Sequence, residues 1–357
     1  MRTWWVVVLA VLAGCGKDPR PKLAWGIGVA TFDAVGLGLG RAPVAPVLAN
    51  LVADPHLDLP TYDRSRQMVH PDILVEPDRV IMAMTPYPYS DARKENPSLL
   101  IGADGTGFNE LSDATNPVVP PPAIDHNDDP DLRVDPRTGE YEMFYLETMR
   151  PDKQTLVSLR STDLLTWTRH DAVVYDFHAG APFIVSPTAI DVDGVTHLFW
   201  VDAPSNTLQT MSSADGVTWD PTTAVVIDCD LHTLKAWHVD VVRGDAGFGL
   251  LFSAFDAEFG HQSLYLATSP DLGHWTLRPQ PLLDYADASL GVESLYRSSG
   301  TISGERLVVW YSMQYFEDHP FPHGLSHARR GPTPLDDGLR RLEAPDDGEE
   351  LTPETAP

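Results

Sequence analysis

Four stretches of the chain line up without gaps, and their spacing limits the folds open to it. They read "GADGTGF" (102–108), "STDLLTW" (161–167), "SADGVTW" (213–219) and "SPDLGHW" (269–275). The shared form is Ser-x-Asp-x-x-x-Trp, degenerate in the first copy. Asp104, Asp163, Asp215 and Asp271 are 59, 52 and 56 residues apart. A period near fifty residues marks stacked or radial repeats. The aspartate is suited to closing a turn on backbone N–H groups, and the tryptophan to packing between neighbouring units.

A second register precedes these boxes. Its heads are "HPDIL" (70–74), "DPDLR" (129–133), "SPTAI" (186–190), "HVDVV" (238–242) and "GVESL" (291–295). Their third residues, Asp72, Asp131, Thr188, Asp240 and Glu293, are spaced 59, 57, 52 and 53. An apolar stretch follows each head, such as "RVIMAMTPY" or "THLFWVDA", and then an alternating one such as "QTLVSLR". Short alternating runs bounded by turn formers are antiparallel β-strands. No segment after residue 20 sustains a 3.6-residue period. Five such units predict an all-β chain, a five-bladed β-propeller. The first strand of each blade then lines a central channel, and four of the five head positions would ring it with carboxylates.

The beginning of the chain has a different grammar. "MRTWWVVVLAVLAGCGKD" has Arg2, an apolar run from Trp4 to Ala13, and Cys15. The run is short for a membrane span and fits a signal-peptide core. Leu12-Ala13-Gly14-Cys15 resembles the bacterial lipobox, which implies lipidation of Cys15, with an ordinary secretory signal as the alternative. Gly16, rather than Asp, follows the cysteine, which points to the outer membrane of the cell envelope. The acyl chains would be the only membrane attachment. Cys229 is the one other cysteine, so no internal disulfide accompanies a lipidated Cys15. The organisation expected is a signal peptide (1–14), a lipidated N-terminus with tether and extended segment (15–60), the propeller (61–330) and an acidic, Pro-rich tail (331–357).

Charge narrows the partners. Asp and Glu number 51 against 25 Lys and Arg, which excludes a phosphate-neutralising nucleic-acid binder. A monomer acting on a neutral partner is expected.

The heads, the boxes and the five units together resemble the five-bladed propeller glycosidases of glycoside hydrolase families forty-three, thirty-two and sixty-two, across about residues 65–330. The box is also similar to the sialidase Asp box, which has one more residue between Asp and Trp. The resemblance implies carbohydrate as substrate, an Asp base from blade one at Asp72, a pKa-tuning Asp from blade two at Asp131, and a Glu acid from blade three. Thr188 stands at that third position. Glu293 and Asp240 are the substitutes for the acid, and Glu293 is preferred because apolar Val292 and Leu295 would raise its pKa. Two carboxyl groups across the scissile bond would then do acid–base work.

His70, Trp237, His238, Asp240 and Arg297 are the candidate substrate-binding residues. The histidines sit two residues before Asp72 and Asp240; they would bind sugar hydroxyls or help hold a central cation. Trp237 would stack on a sugar face or pack in the core. Glu95 and Asn96 lie on a loop that would reach the channel mouth, and His126, Asp128 and Asp129 crowd the start of blade two. No strong metal-ligand spacing, phosphate loop or nucleophile elbow is present, and no cofactor is predicted. The alternatives to a glycosidase are a carbohydrate-binding propeller that lost its acid at Thr188 and a structural or interaction propeller.

Overall fold

The computed structural model describes residues 22–112, 116–149, 153–170, 175–178, 184–221, 223–224, 226–228, 234–256, 260–287 and 290–317. Cys15 and Cys229 lie outside these residues. Five sheets, antiparallel but for one parallel outer strand, form the blades of a five-bladed propeller. The only helices among the described residues are three single-turn 3-10 segments, and none is long and apolar enough to cross a membrane.

The chain opens with β1 (Leu23–Asp33). Blade one is β2 (Met68–Val75), β3 (Val80–Pro86), β4 (Ser98–Gly102) and β5 (Phe108–Glu110). Blade two is β6 (His126–Val134), β7 (Tyr141–Met149) and β8 (Lys153–Ser161), with β9 (Thr168–Arg169) and β10 (Tyr175–His178) both on the outer edge of β8. Blade three is β11 (Ile184–Val192), β12 (Val195–Asp202), β13 (Thr207–Ser213) and β14 (Thr223–Ala224). The chain then places β15 (Val226–Asp228) parallel to the outermost strand of blade four. That blade is β16 (Leu234–Arg243), β17 (Phe248–Asp256), β18 (Gln262–Ser269) and β19 (His274–Leu277). Blade five has only β20 (Ser294–Ser303) and β21 (Arg306–Phe316) from its own stretch of chain, and β1 completes it, paired with β21 from Leu23↔Phe316 to Asp33↔Arg306. The propeller therefore begins at residue 23, which corrects the expected boundary at 61. The exposed edge of blade five is covered by a strand from the other end of the chain.

The boxes do what their residue types suggest. Asp163 Oδ1 accepts from Leu165 N (2.9 Å) and Thr166 N (2.8 Å), and Asp215 and Asp271 repeat the pattern. These bonds hold the exposed carboxyls below their usual range. Each box tryptophan packs on the preceding blade. The ring centroid of Trp219 is 6.0 Å from Phe144 and that of Trp275 is 6.2 Å from Phe199, both edge-on. The first box lacks its tryptophan, and Trp310 of β21 fills the place, donating Nε1–H to Gly105 O at 2.7 Å. Gly105 has φ +78°, and a Cβ there would meet the Trp310 ring at 2.9 Å, so the position requires glycine.

Candidate active site on the propeller axis

Every inner strand carries a β-bulge at the axis, between Val69 and Asp72, Asp128 and Asp131, Val185 and Thr188, Ala236 and Val239, and Leu295 and Ser298. In the first three blades it starts with a non-glycine residue in the left-handed region, followed by proline: His70 (φ 57°), Asp129 (φ 50°) and Ser186 (φ 58°). Such strain is stored where surrounding packing enforces it, and bulges re-aim side chains. The result is two tiers of side chains around the axis, two residues apart along each strand.

The deeper tier is Asp72, Asp131, Thr188, Asp240 and Ser299. It stitches each blade to another. Asp72 Oδ2 accepts from Leu132 N (2.6 Å), Asp131 Oδ2 from Ala189 N (3.2 Å), Asp240 Oδ2 from Gly300 N (2.7 Å) and Ser299 Oγ from Ile73 N (3.1 Å). Thr188 donates its hydroxyl to Asp240 Oδ1 at 2.9 Å. The oxygens of the three aspartates lie within 4.8 Å of one another, all buried. Burial pushes all three carboxyls up, and repulsion from Asp72 adds to it at Asp131, which lies well above its ordinary value, and at Asp240, raised to about 7. The blade-five member is Ser299, not Glu293. That is a correction to the register, since Glu293 lies six residues earlier. Glu293 is half-buried at the start of β20, with its N–H on Gln314 O and its own carbonyl accepting from His261 Nδ1. The corrected spacings are 59, 57, 52 and 59.

The upper tier is His70, Asp129, Ser186, His238 and Arg297, and it converges on Asp129. His70 Nε2, His238 Nδ1 and Arg297 Nη1 lie 3.4, 3.3 and 3.2 Å from Asp129 Oδ1. Ser186 N donates to Oδ2 at 2.8 Å. All five residues are buried, Arg297 completely. Burial opposes the charge on Asp129, but the neighbouring imidazoles, Arg297 and the Ser186 N–H outweigh it and hold the carboxyl well below its usual range. Burial pushes both imidazoles down, His70 strongly, against the pull of Asp129, so they are neutral at pH 7. His70 Nδ1 has Thr85 Oγ1 as partner at 2.9 Å. His70 Nε2 and His238 Nδ1 have only the off-line contact with Asp129 Oδ1, and His238 Nε2 has no polar partner. Orphaned buried nitrogens are costly, and their presence in a native core points to a ligand.

Beside this triad stands a second one, Glu95, His126 and Asp128. His126 Nε2 is 2.8 Å from Asp128 Oδ2, and its Nδ1 is bonded to Asp125. Burial opposes the charged ring, yet Asp128 and Asp125 outweigh it, so the His126 pKa is raised well above 6.5. Glu95 Oε2 is 3.4 Å from His70 Nδ1 and joins the two groups. Tyr87, Val185, Trp237 and Tyr296 complete the walls of a cavity of about 30 Å³. Trp237 donates Nε1–H to Tyr296 OH at 3.1 Å. The space is close to that of one water or ion and far below that of a sugar ring.

Of the sequence-predicted residues, His70, Trp237 and His238 line this cavity, and Arg297 stands behind it, bonded to Asp129. Asp72, Asp131 and Asp240 sit one tier deeper, committed to inter-blade bonds, and Glu293 is not in the lining. Asp129 is the residue that sequence reasoning left in an acidic crowd. The pairs His70-Pro71, Asp129-Pro130 and Ser186-Pro187 were the available signal for its tier.

The donor set suits a transition-metal ion. Metal ligands must be deprotonated, and two neutral imidazoles with one ionised carboxylate meet that condition. The deeper aspartates offer carboxylates alone, with no imidazole among them.

No protein-family model and no curated protein sequence matches the chain. Solved structures do. An N-acetylgalactosamine deacetylase from F. plautii, in complex with blood group B trisaccharide, has a TM-score of 0.59 at 19% identity, covering 78% of this chain and 96% of its own. A thermostable family-43 glycoside hydrolase has a TM-score of 0.55 at 14% identity, covering 74% and 96%. A glycosyl hydrolase from Bacteroides ovatus has 0.50 at 14%, covering 80% and 96%. The chain is similar in fold to five-bladed propeller enzymes of this kind.

Proposed function

We propose that this protein is a carbohydrate-active hydrolase in which His70, Asp129 and His238 hold a divalent metal ion at the propeller axis. One observation carries the reading. Two buried neutral imidazoles and an ionised carboxylate converge, with His70 Nε2 and His238 Nδ1 both turned on Asp129 Oδ1 and His238 Nε2 without a hydrogen-bond partner. A divalent ion bound there would supply Lewis acidity towards a carbonyl and towards water. Asp129 keeps its negative charge because Arg297 and Ser186 N–H hold it. His126, held protonated between Asp125 and Asp128, keeps a positive charge beside the site, and its Nε2 proton is shared with Asp128, which faces the same cavity. Trp237, Tyr87 and Tyr296, buried and packed on Phe255, Trp25 and His238, wall the cavity with apolar surface and keep water from its floor. The cavity has room for the ion alone, so the reacting bond would lie at its edge, and an acyl carbonyl on the sugar is the group that the ion's Lewis acidity suits. Fold neighbours include a deacetylase of N-acetylgalactosamine, in line with that choice.

Hydrolysis of a glycosidic bond is the second reading. It is supported by the glycoside hydrolase neighbours and by the carboxylates Glu95, Asp128 and Asp129 in one pocket. The test is metal analysis of the purified protein, followed by assays of acetate release from N- and O-acetylated sugars and of aryl-glycoside cleavage, with and without chelator. Stoichiometric metal and chelator-sensitive acetate release are expected. Aryl-glycoside cleavage indifferent to chelator would favour the second reading. Sugar binding without any turnover would make the protein a carbohydrate-binding propeller.

A further inference from the structure

The strand that closes the propeller also fixes where the N-terminus leaves it. β1 starts at Leu23, opposite Phe316, the last residue of β21. Trp25 and Ser294 both pair with Gln314, so the start of β1 lies level with the start of the inner strand β20. That is the end of the propeller at which the pocket opens. Trp25 packs directly on the pocket wall, its ring centroid 5.5 Å from Tyr87 and 5.1 Å from Tyr296, and its Nε1–H is donated to Ser90 Oγ at 3.0 Å. Lys22 is held at the same rim. Its carbonyl accepts from Glu317 N at 2.8 Å, and its ammonium lies 5.2 Å from the centre of the Tyr89 ring.

Covalent geometry then limits how far Cys15 can be. Seven peptide steps separate it from Lys22, at most about 25 Å of fully extended chain. The inner strands are 8 to 10 residues long, which makes the propeller roughly 30 Å tall. A tether of that length, leaving the pocket rim, cannot pass the height of a blade and still put acyl chains into a bilayer beneath the opposite face. The tether also carries Lys17, Arg20 and Lys22 against a single acidic residue, Asp18, in a chain of net charge −26. Its basic character suits anionic headgroups.

We infer that in the lipidated protein the pocket faces the bilayer, and that its substrate is the carbohydrate headgroup of a membrane-anchored glycoconjugate, not a freely diffusing polysaccharide. This inference rests on acylation of Cys15 and on the carbohydrate reading of the pocket, and the experiment separates the three. Mass spectrometry of the full-length membrane-extracted protein should show an acylated Cys15; an unmodified cysteine overturns the inference. The lipidated protein, with Cys229→Ser as background, is then reconstituted in phosphatidylethanolamine–phosphatidylglycerol vesicles containing a lipid-linked energy acceptor. A donor fluorophore is placed either on Ile124→Cys at the pocket rim or on Leu165→Cys in the turn at the far face. Transfer should be stronger from position 124, and a flexible insertion of about forty residues between Lys17 and Asp18 should level the two sites. Equal or reversed transfer without the insertion overturns the inference.

Turnover is measured on a glycolipid bearing a terminal N-acetylhexosamine in the same vesicles, and on its free glycan in solution. The lipidated protein should exceed Cys15→Ser by at least about tenfold on the vesicles and match it in solution, the gain being one of effective concentration. Equal rates on the vesicles overturn the choice of substrate. Turnover of neither glycan counts against the pocket reading, while the transfer measurement still decides the orientation.

Discussion

The Ser299 hydroxyl donates to Asp72 Oδ1 across 3.2 Å, while Ile73 N donates to Ser299 Oγ. These bonds join the inner strands of the last and first blades at the axis. They complete a ring in which three of five members are carboxylates. The carboxyls need the fold to be tolerated, and the fold needs them as acceptors.

The ring makes stability depend on pH. Asp240, raised to about 7, and Asp131, raised well above its ordinary value, bind protons more tightly in the folded chain than in the unfolded one. The stability they contribute is full below the unfolded carboxylate pKa and is lost as pH rises towards 7. Below about pH 6.5 the buried neutral His70 and His238 oppose this, since only the unfolded chain protonates them, so thermal unfolding midpoints should fall from about pH 6.5 to pH 8. Asp131→Asn, whose amide oxygen still accepts from Ala189 N, should flatten that fall and leave the variant a few degrees more stable than the parent at pH 8. An unchanged slope would count against shared protons at the axis.

Asp129→Asn should be costly for a different reason. It leaves Arg297, completely buried, without its counter-charge, a loss of about 3–5 kcal/mol. Replacing both, Asp129→Asn with Arg297→Met, should recover part of that loss in a double-mutant cycle of unfolding free energies. Additive single effects would refute the pairing.

The box tryptophans are not equal. Trp275 is wholly buried, whereas Trp167 and Trp219 are half-buried. Trp275→Ala should destabilise by about 3–5 kcal/mol, and the other two by clearly less. Denaturant midpoints of the three variants would show the order.

Removing residues 23–33 should abolish cooperative unfolding, because β21 would be left as an open edge with Ile27 and Val29 missing from the core beneath it. The same deletion is harmless if β1 is only an appended tether. Calorimetry decides between them.

In the pocket, His238→Ala should lower bound metal and reduce turnover by at least about a hundredfold. Glu293→Gln, outside the lining, should keep turnover within about twofold. Loss of turnover in Glu293→Gln with metal content intact would restore the acid role expected from its position in the sequence.

The blade count was legible because each unit repeats its own turn chemistry. The box aspartate captures N–H groups two and three residues ahead, and the tryptophan caps the neighbouring blade, so local sequence carries the aspartate signal four times and the tryptophan three. Asp72, Asp131, Thr188 and Asp240 were legible as ring members for the same reason, and His70 and His238 stood out as a matched pair. Blade five was misread because Glu293 offered the expected chemistry near the expected place. Its true ring member, Ser299, is a small hydroxyl with no distinguishing sequence.

The sequence by itself determined that five β-units surround an axis and that acidic heads crowd it. Tertiary structure alone decided which tier faces the pocket, because one extra residue in a bulge reverses the direction of every side chain beyond it. It also decided that the ring is closed by β1. Leu23 pairs with Phe316, and a strand whose partner lies almost the whole chain away leaves no local pattern to read.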